Sequence, residues 1–177
     1  MGNFNKELGS YTLAIKTEEE GYRFYKDAVE KSSDKIQKET FKSFADDELK
    51  HKEMIDEFYS SFEKGETGDS DKLFGVCNTL GTVKTIFAKA GENIDSICAG
   101  GNDDVIAPYR LASTLEGEAI DFYKDLSAKV INGREKELFE YLMRMEEAHK
   151  EILDNMIEYL INPGDWFFNQ ERWSIGG

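Results

Sequence analysis

Six side chains stand where helical stripes should be apolar. Glu48 and His51 take the two central places in the series Phe41, Phe44, Glu48, His51, Ile55, Phe58. Glu146 and His149 interrupt Phe139, Leu142, Leu153, Met156 and Leu160 in the same way. Glu18 lies on the stripe of Tyr11, Ala14, Tyr22 and Tyr25, and Glu116 takes the matching place in a stripe of Ala112, Ala119 and Tyr123. A spacing of three puts each Glu and its His on one helical face. Buried carboxylates without compensation are strongly destabilising. Two divalent cations would balance four of them, and two neutral imidazoles would complete the ligand set. Facing helices of a bundle build dimetal sites from this combination.

The elements that must position these residues repeat. Shifted by 98 positions, Tyr11 to Lys31 matches Tyr109 to Lys129 at ten of 21 places, including Phe24-Tyr25-Lys26-Asp27 against Phe122-Tyr123-Lys124-Asp125. Lys38 to Ser60 matches Lys136 to Glu158 at eight of 23, among them Phe41/Phe139, Glu48/Glu146 and His51/His149. The shift is far too long for a solenoid and marks a twofold duplication. In all four segments the apolar residues recur at three and four, the helical spacing. Ser32-Ser33-Asp34 supplies caps in the first half; Asn132-Gly133 reads as a helix stop in the second, and Asn162-Pro163-Gly164 as the end of the last helix. Each half is thus an antiparallel helical hairpin, over 4–63 and 108–161.

Between them lies a segment, 64–107, with Gly65, Gly68, Gly75, Gly81 and Gly100-Gly101 and one shorter amphipathic stretch from Leu80 to Ile97. A link this long implies a crossover rather than a tight turn. The expected architecture is all-α: one domain, a four-helix bundle with a long crossover that contains a short helix. Pro108 and Pro163 stand where helix boundaries would suit them.

Composition narrows the function. The 177 residues carry 22 Lys and Arg against 36 Asp and Glu, a net charge of −14, which argues against nucleic acid or an anionic membrane as the main partner. No apolar run reaches the ~18 residues of a membrane span, and the N-terminal residues lack a hydrophobic signal core. A cytoplasmic protein is expected. Two cysteines, Cys77 and Cys98, cannot make a four-cysteine metal site and are read as reduced bystanders.

Glu18-Glu19-Glu20-Gly21-Tyr22-Arg23-Phe24-Tyr25 with Ala45-Asp46-Asp47-Glu48-Leu49-Lys50-His51, repeated in Glu116 to Tyr123 and Met145-Glu146-Glu147-Ala148-His149, resembles the rubrerythrin branch of the ferritin-like superfamily from about Tyr11 to Leu160. The resemblance implies a ferritin-like bundle around a carboxylate-bridged di-iron centre. Glu18 and Glu116 would be terminal ligands, Glu48 and Glu146 bridges, and His51 and His149 one nitrogen ligand per iron. Tyr25 and Tyr123 match tyrosines that support the ligands in that family. The implied activity is reduction of hydrogen peroxide in defence against oxidative stress, and a homodimer is expected by the same analogy.

Two departures bear on the transfer. Typical rubrerythrins carry a four-cysteine rubredoxin domain, which these cysteines cannot build, so electrons would come from a separate donor such as a rubredoxin. They also place a further glutamate three residues after the third-helix ligand, where this chain has Ala119; Glu118 points elsewhere on the helix. Four Glu and two His in matched halves also resemble the ferroxidase centre of bacterioferritin. Oxidation of Fe(II) by O2, or a non-catalytic bundle holding zinc or manganese, are the competing readings.

Other charges have plainer readings. Asp27 and Asp125 fall off the stripe and read as surface charges, as do the remaining acids around Glu18 and Glu48. Asp47, four before His51, could contact it along the helix; its counterpart is Met145. The aromatic tail within 162–177, Trp166, Phe167, Phe168 and Trp173, is read as a lid packed on one end of the bundle.

Overall fold

The computed structural model describes residues 2–63 and 103–164. Four helices account for nearly all of them: α1 (Gly2–Lys31), α2 (Lys35–Glu63), α3 (Asp103–Lys129) and α4 (Gly133–Ile161). There is no strand among the described residues. The protein is an all-α, ferritin-like four-helix bundle.

Local chemistry sets the turns. Asp34 Oδ1 accepts the Gln37 N–H at 2.8 Å and caps α2, while the Ser32 hydroxyl donates to the Ala28 carbonyl at 2.6 Å and closes α1. Asn132 does not stop a helix as its sequence context suggests; it starts one. Its Oδ1 accepts from the N–H groups of Arg134 and Glu135 at 2.9 and 3.3 Å, and Gly133 is the first residue of α4. The side-chain acceptor of asparagine suits an N-cap as well as a C-terminal turn, and here the cap prevails. α4 ends at Ile161, where the Asn162 N–H still donates to the Glu158 carbonyl at 2.9 Å.

The third helix begins earlier than its proline suggests. Pro108 lies inside α3, five residues after Asp103. Its ring removes the donor that the Asp104 carbonyl would accept, a loss confined to the helix's opening turns. Gln37 Nε2 donates to the Val105 carbonyl at 3.0 Å and ties this turn to α2.

Two apolar clusters fill the bundle. One joins Tyr25, Phe41, Phe44, Tyr109, Ile152, Leu153 and Met156; the other joins Ala14, Ile55, Phe58, Tyr123, Leu138, Phe139 and Leu142. Large side chains of this kind contribute roughly 1.5–3 kcal/mol each when fully buried. Every helix gives residues to both clusters, and Glu18, Glu48, His51, Glu116, Glu146 and His149 lie between them in sequence. A polar layer is therefore clamped between two dry ones. Contacts of Phe41 with Tyr109 at 5.1 Å and of Tyr25 with Glu116 set α1 antiparallel to α3 and α2 parallel to it. Glu63 and Asp103 consequently lie at opposite ends of the bundle, as a crossover connection requires. The amphipathic stretch 80–97, Cys77, Cys98 and the aromatic tail lie outside the described residues.

Candidate metal centre

Each helix delivers its share of the polar layer from its middle. Glu18 comes from α1, Glu48 and His51 from α2, Glu116 from α3, and Glu146 and His149 from α4. The four carboxylates are 1–4 % exposed and both histidines 0 %. They form two overlapping groups, Glu18, Glu48, His51, Glu146 and Glu48, Glu116, Glu146, His149, whose ligand atoms lie within 4.8 Å of one another.

The overlap assigns different positions to different carboxylates. Glu146 sets Oε1 3.2 Å from His51 Nδ1 and Oε2 3.1 Å from His149 Nδ1. Glu48 does the same with Oε2 at 3.8 Å from His51 and Oε1 at 3.7 Å from His149. Both therefore stand between the two imidazoles. Glu18 approaches only the first group, with Oε2 3.1 Å from His51 Nδ1, and Glu116 only the second, with Oε1 3.6 Å from His149 Nδ1. The rings themselves stack at 5.5 Å with a 25° interplanar angle.

The tyrosines cross between halves. The Tyr25 hydroxyl donates to Glu116 Oε1 and the Tyr123 hydroxyl to Glu18 Oε1. Each holds the carboxylate of the opposite hairpin. Burial, then the neighbouring carboxylates Glu116 and Glu18 respectively, raise both phenols well above their usual range, so they remain neutral donors.

Packed together, the acids and bases shift one another. Burial, followed by repulsion from Glu146 and Glu18, pushes Glu48 well above the ordinary carboxylate range. Burial and the charge of Glu146 raise Glu116 to about 7. Burial opposes the charged forms of Glu146 and His149 too, but other contacts outweigh it. The two histidines draw Glu146 below its usual value; the nearby carboxylates of Asp47, Glu116 and Glu146 raise His149. Protons thus offset the negative charge that two cations would otherwise offset.

The donor set fits a metal pair. Glu146 Oε1 is buried and accepts no hydrogen bond among the described residues, although His51 Nδ1 lies 3.2 Å away; a metal ion between them would satisfy both. Four carboxylates and two imidazoles suit divalent first-row metals.

Three features escaped sequence reasoning. Asp47 meets the opposite hairpin: its Oδ2 lies 3.6 Å from His149 Nε2, and Oδ1 accepts from Lys50 Nζ at 2.6 Å. The sequence suggests a contact with His51 along the helix; the structure sets Asp47 against His149 across the bundle. The imidazole of His149 and the ammonium of Lys50 beside it outweigh burial and hold Asp47 at about 2, so its charge can orient that imidazole with Nδ1 toward the carboxylates. Gly21 faces Glu48 so closely that a Cβ would stand 3.0 Å from its Cδ and Oε2. Finally, Glu135 is buried away from the centre and bonded by the Tyr59 hydroxyl. Its place three after the Asn132 cap was the available signal. Asp27 and Asp125 are exposed, as surface charges should be.

A cavity of about 290 Å³ opens between α1 and α3 onto Glu18, Glu48, Glu116 and Glu146, with Ala119 in its wall. No helix among the described residues is long and apolar enough to cross a membrane.

Fold and site together define a ferritin-like bundle around a buried carboxylate–histidine cluster that could hold metal. The family model for Rubrerythrin matches residues 11–157, which takes in all six centre residues, and the chain belongs to the rubrerythrin family. Comparison with curated proteins and with solved structures gave no match.

Proposed function

We propose that the chain is a di-iron oxidoreductase that reduces hydrogen peroxide to water with electrons from a separate donor protein. The observation that carries this reading is the placement of Glu48 and Glu146, each with one oxygen toward either histidine. In this assignment they bridge, Glu18 with His51 and Glu116 with His149 complete the two ends, and Tyr25 and Tyr123 fix the terminal carboxylates. Two ferrous ions held there would supply the two electrons that, with two protons, turn one H2O2 into two waters. The cavity gives a small oxidant access to the same edge of the layer, and the two apolar clusters keep bulk water from its ends.

A second reading has one observation in its favour. At Ala119 a methyl group lines the cavity beside Glu116, where typical relatives carry a glutamate. That substitution favours a ferroxidase, in which O2 is the oxidant. Stopped-flow oxidation of the anaerobically loaded protein separates them. Peroxide faster than O2 by about tenfold or more supports peroxide reduction; the reverse order supports iron oxidation.

A further inference from the structure

The cavity between α1 and α3 is much larger than peroxide or O2 needs. It measures about 290 Å³, whereas a water takes about 30 Å³ and an apolar cavity of about 150 Å³ accommodates benzene. Its floor is the carboxylate layer and its walls are Phe24, Phe122, Leu115 and Thr17. Phe24 and Phe122 are equivalent positions of the two halves, as are Gly21 and Ala119, so the void straddles the relation between the hairpins. Gly21 and Ala119 are what keep it open, since any longer side chain at 119 projects into it.

Surface and charge indicate what it accepts. Leu115 at its edge is 36 % exposed, and Leu13 and Leu111, one turn further along the same helix faces, are about half exposed. Exposed leucines therefore flank the cavity toward both ends of the bundle. Glu20 and Glu118 also line the cavity and are exposed, and their charges at its mouth repel anions.

We propose that this cavity binds a small, neutral, apolar organic molecule about the size of one aromatic ring. Such a molecule lies against the carboxylate layer, and its relevance to the metal centre rests on the dimetal reading above. The binding itself rests on the shape and polarity of the cavity.

The test uses 19F NMR of the full chain with fluorobenzene and 4-fluorobenzoate as probes. Saturable binding of fluorobenzene and none of fluorobenzoate are expected. Ala119→Phe should weaken fluorobenzene binding by about tenfold or more while taking up as much metal as the parent. Thr17→Phe, from the opposite wall, serves the same purpose if the first variant does not fold. In protein loaded with Mn(II), bound fluorobenzene should broaden far more than in protein loaded with Zn(II). Binding unchanged in both filled variants, equal binding of fluorobenzoate, or no binding by the folded parent would overturn the proposal. A chain that takes up two metals but no fluorobenzene refutes the cavity alone. One that binds fluorobenzene but no metal supports the cavity and refutes the dimetal reading.

Discussion

The two hairpins carry the same candidate ligands in unequal surroundings. Glu18, Glu48 and His51 correspond to Glu116, Glu146 and His149, and Tyr25 corresponds to Tyr123 in an identical crossed role. Around them the halves differ. Asp47 of the first half supports His149 of the second, while Met145 stands in the equivalent place. Gly21 leaves room beside Glu48, where the second half has Ala119. Four buried carboxylates and two histidines in one cluster constrain one another, whereas the residues that orient and crowd them can differ from one half to the other.

The largest expected effect breaks the distinction between bridging and terminal carboxylates. Glu146→Ala or Glu48→Ala should abolish stable uptake of both metals, while Glu18→Ala or Glu116→Ala should leave one. Metal analysis after gel filtration, with circular dichroism to confirm a helical chain, reads the difference. Equal loss from all four variants would mean that no carboxylate is shared.

Next in size is the asymmetry at Asp47. Asp47→Asn should lower metal affinity by about 10–100-fold, the usual cost of losing a partner that orients a ligand. Met145→Leu should change it little. Competition with a chelator measures both, and matching effects would remove the asymmetry.

A smaller effect is expected at Gly21. Gly21→Ala puts a methyl group 3.0 Å from the Glu48 carboxylate and should weaken metal binding several-fold, whereas Ala119→Gly should be close to neutral. Titration of both variants with Co(II), followed by its visible absorption, distinguishes them. An unaffected Gly21→Ala would show that Glu48 has slack.

The last effect is on stability rather than on metal binding, a slope with pH. Glu48 and His149 are raised and Glu116 titrates at about 7, so without metal the folded chain holds more protons than the unfolded one between pH 5 and 8. Its stability should fall as pH rises through that window, by about 1.4 kcal/mol per pH unit for each extra proton held. The lowered Glu146 acts in the opposite sense, but only below the ordinary carboxylate range. Metal displaces these protons, so metal affinity should rise with pH as the stability without metal falls. Thermal melts across pH 5.5–8, with chelator and with metal, test both signs.

Much of this was legible in the chain. Helical spacing and the repeat identified four helices, and charged residues on apolar stripes pointed to the six side chains that the structure buries together, because burying a charge is costly enough to leave a mark in a single sequence. The pairing of Tyr25 with Glu116 and of Asp47 with His149 was not legible. Periodicity reports which face of one helix a residue occupies, but not which residue of another helix it meets. The starts of α3 and α4 misled for a local reason: Pro108 is tolerated early inside a helix, and Asn132 serves as readily at a beginning as at an end. The cavity left no pattern either, since a void is made by the smallness of Gly21 and Ala119 together.

The central claim is that two carboxylates are shared by two irons in one coupled centre. Mössbauer and EPR spectra of the chain, loaded anaerobically with two equivalents of 57Fe(II) and then oxidised with peroxide, test it directly. A coupled diferric pair, silent in EPR and accounting for two irons per chain, is the predicted result. An isolated high-spin ferric signal with a single tightly held iron would contradict it.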